Sequence, residues 1–149
     1  MSKIIQIVGT RPQLLKVIPE LKDSIVINTG QHWSAEMNDD IIKEMGLKIN
    51  YNLGAATLAE MITGLRNSFS EQNPELVLVY GDTRSTYAGA IATKEWSLTT
   101  RLGHIEAGLR GYDRLMPEEN YRRITDHLSD YLFAPNERAA SILRSEQIQ

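Results

Sequence analysis

The run Leu76-Val77-Leu78-Val79-Tyr80, followed by Gly81-Asp82-Thr83, is the stretch of sequence from which the fold can be read. A continuous apolar run of this length, ended by a glycine, is typical of a strand buried on both faces of a sheet. Residues 85–96 come next and are rich in alanine and glycine, which predicts a helix packed close to that sheet. A buried strand followed by such a helix is the repeating unit of a parallel α/β sheet.

The same alternation of short apolar runs and longer amphipathic segments extends in both directions from this stretch. Strands are predicted at residues 4–8, 24–28, 51–53, 76–80, 101–105 and 131–134. Helices are predicted at residues 12–21, 35–45, 57–69, 85–96, 117–128 and 136–145. Thr57 and Glu60 have capping-box spacing, Gly46 suits a helix end, and Pro19 predicts a kink. The pattern predicts one Rossmann-like, doubly wound α/β domain over residues 1–149, with a mostly parallel sheet.

Composition excludes several classes of function. The 149 residues are 42% apolar and 23% charged, with a net charge of −3, and no basic stripe indicates a nucleic-acid partner. The absence of cysteine excludes disulfides, thiolate catalysis and cysteine-ligated metals. The first residues lack a signal-peptide pattern, and no stretch approaches the ~20 apolar residues of a membrane span. We therefore expect a cytoplasmic protein with no membrane partner.

Two predicted strands are followed by polar side chains suited to binding. In open α/β sheets, ligands bind beyond the carboxyl ends of the strands. Residues 9–12 open a helix after the first strand, where free N–H groups and Arg11 suit a phosphate, with Lys16 one turn further on. The alternative is a plain turn with a solvated arginine. Gln31 and His32 follow the second strand and suit hydroxyls, an amide or a phosphate, although both could be structural.

Carboxylates follow two further strands. Asp82 lies directly after the best-defined strand, and the alternative to a chemical role is that it caps the next helix. Glu106 ends a strand that should be buried, where a carboxylate is costly unless it is paired. Its alternative role is a structural ion pair with Arg110.

Two more carboxylates, Glu118 and Glu119, occupy the first turn of the helix that begins at residue 117. The alternative to a chemical role is stabilisation of the helix dipole together with pairs to Arg122 and Arg123. Because the two glutamates cannot face the same way, at most one is expected to point into a cleft.

In this order, the motifs resemble the non-hydrolysing UDP-N-acetylglucosamine 2-epimerase family, over essentially the whole chain. The resemblance is carried by Gly9-Thr-Arg-Pro12 with Lys16, Thr29-Gly-Gln-His32, Gly81-Asp-Thr83, His104-Ile-Glu-Ala-Gly-Leu-Arg110 and Met116-Pro-Glu-Glu119. It implies the N-terminal half of a GT-B fold. It also implies interconversion of UDP-N-acetylglucosamine and UDP-N-acetylmannosamine, by elimination and re-addition of UDP, without a cofactor or metal. Such enzymes serve cell-surface polysaccharide biosynthesis.

The resemblance also assigns roles to side chains. Asp82, Glu106 and Glu118 match the family's catalytic carboxylates, with no assignment of which one removes the C2 proton. Substrate binding is implied for the basic and amide side chains of the same motifs: Arg11, Lys16, Gln31, His32 and Arg110. In bacterial members, the motif that contains Gln31 and His32 helps to hold a second, activating UDP-N-acetylglucosamine.

Three departures from the family pattern limit this expectation. Gln13 stands where the family usually has Glu, and Tyr121 stands where it has Asn. The sequence also stops before the strand expected to complete the domain, and the family's C-terminal UDP-binding domain is absent. We therefore expect weak activity unless a separate chain supplies that half. The alternatives are a non-catalytic module that binds a sugar nucleotide or a partner, and a truncated or broken gene. Exposed apolar surface would favour a homo-oligomer.

Overall fold

The computed structural model describes residues 3–31 and 35–148, which form one six-stranded sheet in the order β3-β2-β1-β4-β5-β6. All five described strand pairings are parallel. The strands are β1 (Ile4–Val8), β2 (Ile25–Asn28), β3 (Tyr51–Asn52), β4 (Leu76–Tyr80), β5 (Arg101–Ile105) and β6 (Tyr131–Phe133). The strand order reverses between β1 and β4, so the crevice typical of this topology opens between their carboxyl ends.

Helices cover both faces of the sheet, which confirms the predicted doubly wound α/β fold. They are α1 (Arg11–Leu14), α2 (Ala35–Met45), α3 (Leu58–Gln72), α4 (Arg84–Trp96), α5 (Pro117–Leu128) and α6 (Glu137–Ser145). On one face, Phe69 of α3 and Ala90 of α4 pack against Val79 in the larger core. On the other face, Leu14 of α1 packs against Tyr80.

The predicted helix over residues 12–21 is wrong in length, because α1 ends at Leu14. Pro19 has no N–H, and its ring would clash with the carbonyl of Leu15 if the helix continued. The buried side chain of Gln6 bonds the freed backbone instead. Its Oε1 accepts from Ile18 N at 3.0 Å and its Nε2 donates to Ile18 O at 3.3 Å.

The other predicted elements are all present, with ends within three residues of the predicted ones. The capping box of Thr57 and Glu60 is confirmed at the start of α3. Gly46 follows α2 with φ 61°, which confirms its role as a helix end. No helix in the described ranges is long and apolar enough to cross a membrane.

Candidate active site

The turns after β1 and β4 are joined by one buried side chain at the switch point of the sheet. Gln13 is only 3% exposed. Its Oε1 accepts from Gly9 N at 2.8 Å, and its Nε2 donates to Tyr80 O at 2.7 Å and to Thr83 Oγ1 at 2.8 Å. An amide supplies both an acceptor and donors, whereas an ionised carboxylate has no hydrogen to give the Tyr80 carbonyl. This arrangement explains how the chain uses glutamine where the resembled family usually has glutamate.

The turn after β5 brings Glu106 to the segment after β1. Glu106 forms an ion pair with Lys16, and its backbone is left-handed with φ 70°. The alternative that Arg110 pairs with Glu106 is wrong, because the Arg110 guanidinium binds two other carboxylates. The strand that Glu106 ends is buried as expected, but 26% of the Glu106 side chain itself is exposed. The sharp turn at φ 70° ends the strand at its exposed edge, where Lys16 lies within reach.

Asp82 lies directly after β4 and pairs with Arg122 of α5. The helix cap is Thr83 instead, whose hydroxyl accepts from Thr86 N at 3.3 Å, so the capping alternative for Asp82 is wrong. The other arm of Arg122, Nη1, donates to Glu119 Oε2 at 2.8 Å. Arg122 therefore bridges the turn after β4 and the first turn of α5.

Glu119 is the buried member of the glutamate pair at the start of α5, with 2% exposure. Burial opposes its ionisation, but backbone N–H groups at Gly111 and Tyr112 and the Arg122 guanidinium lower the pKa of Glu119. The predicted pair with Arg123 has an Oε1···Nε distance of 3.7 Å. Glu119 is thus an anionic support for Arg122.

Glu118, the predicted catalytic carboxylate of α5, is half-buried in the helix's first turn. Within the described ranges no ion pair joins it to Arg122, so the predicted pair is wrong; Arg122 is held by Asp82 and Glu119 instead. Its position in the first turn still suits the helix dipole. Its catalytic role stays a prediction.

A second charge cluster lies behind the Asp82 turn, and its His104, Asp126 and Arg110 side chains are fully buried. His104 Nε2 is 2.6 Å from Gly81 O, and its Nδ1 is 2.6 Å from Asp126 Oδ1. Arg110 Nη1 donates to Asp126 Oδ2 at 2.8 Å, and Arg110 also makes a bidentate contact with Glu146. Burial raises the pKa of Asp126, but hydrogen bonds and charge from His104 and Arg110 outweigh it and lower that pKa overall.

Sequence reasoning missed Asp126 and gave His104 no role. The available signal was a histidine inside a strand predicted to be buried, which needs a polar partner. The partner could not be named, because it lies on a helix that follows a long loop. The substrate-binding assignment of Arg110 stays a prediction, and here its guanidinium is fully buried between two carboxylates.

Gln31, in the motif that follows β2, contacts the first turn of α4 through its side chain. Gln31 Oε1 accepts from Ser85 N at 2.9 Å and from Ser85 Oγ at 2.7 Å, which satisfies a free N–H of that helix. His32 lies outside the described residues. Arg11 is exposed at the first position of α1. The ligand-binding roles of these side chains stay predictions.

Of two surface openings, one is lined by a predicted site residue, Arg110, and the other by none of those in the described ranges. A cleft of about 330 Å³ lies between α5, α6 and the loop after β5, and Arg110, Arg122 and Arg138 line it. A larger groove of about 490 Å³ lies at the amino ends of β2 and β3, bounded by residues 17–26 and 45–50. None of the predicted site residues within residues 3–31 and 35–148 lines the larger groove. The predicted site residues that the structure describes therefore lie away from this larger groove, at or near the carboxyl edge of the sheet.

The fold and these side chains define a class: a Rossmann-like α/β domain with paired carboxylates and cations at its topological switch point. A family profile described as UDP-N-acetylglucosamine 2-epimerase matches residues 18–149. The chain belongs to the UDP-N-acetylglucosamine 2-epimerase family.

Known relatives share sequence over nearly the whole chain. A Methanococcus maripaludis UDP-N-acetylglucosamine 2-epimerase homolog is 42% identical over 98% of this chain and 44% of its own length. A Pseudomonas aeruginosa UDP-2,3-diacetamido-2,3-dideoxy-D-glucuronate 2-epimerase is 37% identical over 97% of this chain and 44% of its own length. This chain spans less than half the length of these relatives and corresponds to their N-terminal part.

A solved relative has the same fold. The Methanocaldococcus jannaschii UDP-GlcNAc 2-epimerase, in complex with UDP-GlcNAc and UDP, is 37% identical. It superposes with a TM-score of 0.89 over 99% of this chain and 44% of its own. The predicted assignment to the Rossmann-like N-terminal half of a GT-B fold is thereby confirmed.

Proposed function

We propose that this chain supplies the acid–base half of a UDP-N-acetylglucosamine 2-epimerase. It would interconvert UDP-N-acetylglucosamine and UDP-N-acetylmannosamine by elimination and re-addition of UDP. One observation carries the proposal: in a member of this family, Asp82 and Glu106 follow the neighbouring strands β4 and β5 at the carboxyl edge of the sheet, each paired with a cation.

The reaction needs more than one acid–base group. Removal of the C2 proton forms the C1–C2 double bond as the C1–O bond breaks, and UDP leaves with the bonding electrons. On return, UDP re-forms the C1–O bond and C2 receives a proton on its opposite face. Asp82, Glu106 and Glu118 come from three different segments, so they can approach a sugar ring from different directions.

Lys16 links binding to chemistry in this proposal. In the structure it pairs with Glu106, and the exposed Arg11 begins the short helix that precedes it. A diphosphate carries more charge than one carboxylate and competes for the Lys16 ammonium. Movement of Lys16 to the diphosphate would free Glu106 for proton transfer and stabilise the leaving group.

The names of the relatives indicate which features their substrates have in common. Both UDP-N-acetylglucosamine and UDP-2,3-diacetamido-2,3-dideoxy-D-glucuronate carry UDP at C1 and an acetamido group at C2. The proposed chemistry acts only at C1 and C2, which the two compounds share. We propose UDP-N-acetylglucosamine as the substrate, with the diacetamido-glucuronate as the comparison in the assay.

Full activity is proposed to need a second domain or a separate chain, because the relatives are more than twice as long as this chain. Without it, one wall of the site and much of the exclusion of water would be missing. Self-association and a cytoplasmic location stay predictions. The alternative is a non-catalytic module that binds a sugar nucleotide or a partner.

The test follows the C2 proton in D₂O. The chain is incubated with each UDP sugar, alone and with the C-terminal half of a relative, and deuterium at C2 and the epimer are followed by NMR. Glu106→Gln, Asp82→Asn and Glu118→Gln should each abolish exchange. Glu95→Gln is the matched control, because Glu95 forms an exposed ion pair with Arg66 away from the site. Tight UDP-sugar binding without exchange, even with the added half, would support the binding module instead.

A further inference from the structure

We propose that His104 is a doubly protonated positioning residue. Its two N–H groups tie the Gly81 carbonyl, in the turn that carries Asp82, to the Asp126 carboxylate of α5. The importance of this contact for turnover rests on the proposed function, whereas the hydrogen-bonding state of His104 does not.

The two partners of His104 both require a hydrogen on the imidazole nitrogen that faces them. The Gly81 carbonyl can only accept, and it lies 2.6 Å from Nε2. The Asp126 carboxylate lies 2.6 Å from Nδ1 and also only accepts when ionised. A neutral imidazole has one N–H and one lone pair, so one of these short contacts would set a lone pair against an oxygen. The side chain of His104 is fully buried, so water does not offer it an alternative partner.

Asp126 is held in its ionised form by other donors. Its Oδ2 accepts from Gly108 N at 3.1 Å and from Arg110 Nη1 at 2.8 Å. A proton on Asp126 would weaken both bonds. The hydrogen between Asp126 and His104 therefore belongs to the imidazole.

The charges around His104 compensate for the positive charge of a doubly protonated imidazole. The cations are His104 and Arg110, and the anions in direct contact with them are Asp126 and Glu146. Further charged or titratable groups nearby include Glu119, Arg122, Arg123 and His127 of α5 and Asp82 of the turn after β4. Two cations against two anions avoid an uncompensated buried charge, which would be costly.

The contact fixes the orientation of one peptide group. Gly81 has φ 69°, and its N–H donates to Ile105 O at 2.9 Å. Its carbonyl is held by His104, so neighbouring residues of β5 hold both sides of the glycine. The peptide that joins Gly81 to Asp82 cannot rotate without breaking the His104 bond. His104 thereby sets the direction in which the Asp82 side chain leaves the sheet.

Nitrogen-15 NMR of the histidine-labelled chain at neutral pH tests the protonation state. Both ring nitrogens of His104 should show the shifts of N–H groups and both ring hydrogens should be observed. The exposed His127 is the internal reference, and His127→Gln removes its signals. A wild-type His104 with one unprotonated ring nitrogen would overturn the proposal.

Two variants test the positioning role. In Asp126→Asn, the amide can donate to Nδ1, so His104 should become singly protonated and keep its bond to Gly81. In His104→Gln, the backbone amide signals of Gly81 and Asp82 should shift, while His127→Gln leaves them in place. Unchanged signals in a folded His104→Gln chain would overturn the positioning role.

The deuterium-exchange assay separates this inference from the proposed function. In His104→Gln, the exchange rate should fall about 10- to 100-fold while UDP affinity is retained, because a misdirected carboxylate loses near-attack geometry. If the wild-type chain exchanges no proton but His104 has two N–H groups, the proposed function fails and the protonation assignment stands. If the protein is active but one His104 ring nitrogen is unprotonated, the protonation assignment fails and the proposed function stands.

Discussion

Lys16 and Glu106 form an ion pair across the carboxyl edge of the sheet, and Glu106 makes it from left-handed backbone with φ 70°. Left-handed backbone costs a non-glycine residue roughly 1–2 kcal/mol. The ion pair is partly exposed, and such pairs contribute little to stability. The strain at Glu106 is therefore not offset by its partner, which is typical of a position kept for its chemistry.

The strain at Glu106 predicts an inverted preference for glycine. We expect Glu106→Gly to be more stable than Glu106→Ala by about 1 kcal/mol, since glycine tolerates positive φ. Urea unfolding of the two variants measures the difference. At the exposed Asn67, in the middle of α3, the order should reverse, with glycine about 1 kcal/mol worse than alanine. Equal stability of the two Glu106 variants would show that the left-handed backbone is not strained.

Gly108 is predicted to be intolerant of a side chain for two reasons. It has φ 84°, and an added Cβ would lie 2.4 Å from the backbone oxygen of Ala139. We expect Gly108→Ala to reduce the free energy of unfolding by roughly 2–4 kcal/mol. Gly46→Ala is the matched control, because Gly46 has φ 61° but nothing within 4 Å, and should lose only about 1 kcal/mol. Similar losses at both positions would rule out the steric contribution at Gly108.

The buried carboxylates predict loss of stability in acid. The pKa of Asp126 is lowered in the folded chain, against an unfolded value of about 3.9. The unfolded chain therefore binds more protons as pH falls below that value. The stabilisation from Asp126 is complete above about pH 5 and is lost as the pH falls through the folded pKa. Urea midpoints measured from about pH 7 down to about pH 2 should show this decline.

Asp126→Asn should flatten the acid decline and reduce stability at neutral pH by about 3–5 kcal/mol, because Arg110 loses a buried partner. The exposed Asp40 provides the control, and Asp40→Asn should leave the pH profile unchanged. An Asp126→Asn chain with the wild-type acid profile would contradict the linkage.

The stacked rings of Tyr87 and Tyr121 join α4 to α5, with centroids 5.0 Å apart and an interplanar angle of 19°. A double-mutant cycle with Tyr87→Leu and Tyr121→Leu should give a coupling of about 0.5–1.5 kcal/mol. The same cycle between Tyr87 and the exposed Tyr131 of β6 should give none. Absence of coupling in the first cycle would mean that the stacked tyrosines do not stabilise the helix pair.

Local sequence was sufficient to predict most of the fold. The strands at Ile4–Val8, Leu76–Tyr80 and Arg101–Ile105 have the predicted ends. The first two are short, mostly apolar runs between polar turns. The helix after β1 was predicted too long. Its early end depends on Pro19 together with a bond from Gln6 to Ile18, and the second contact cannot be read from the segment itself.

The sequence by itself also placed the candidate site, since residues that end neighbouring parallel strands must meet at one edge. Only the tertiary structure decided the partners. Glu106 pairs with Lys16 instead of Arg110, Arg122 bridges Asp82 and Glu119, and His104 is held by Asp126. The physical reason is the sequence separation of the interacting residues. Hydrophobic periodicity can be read within a short segment, whereas an ion pair depends on the register of strands and the packing of helices that are far apart in the chain.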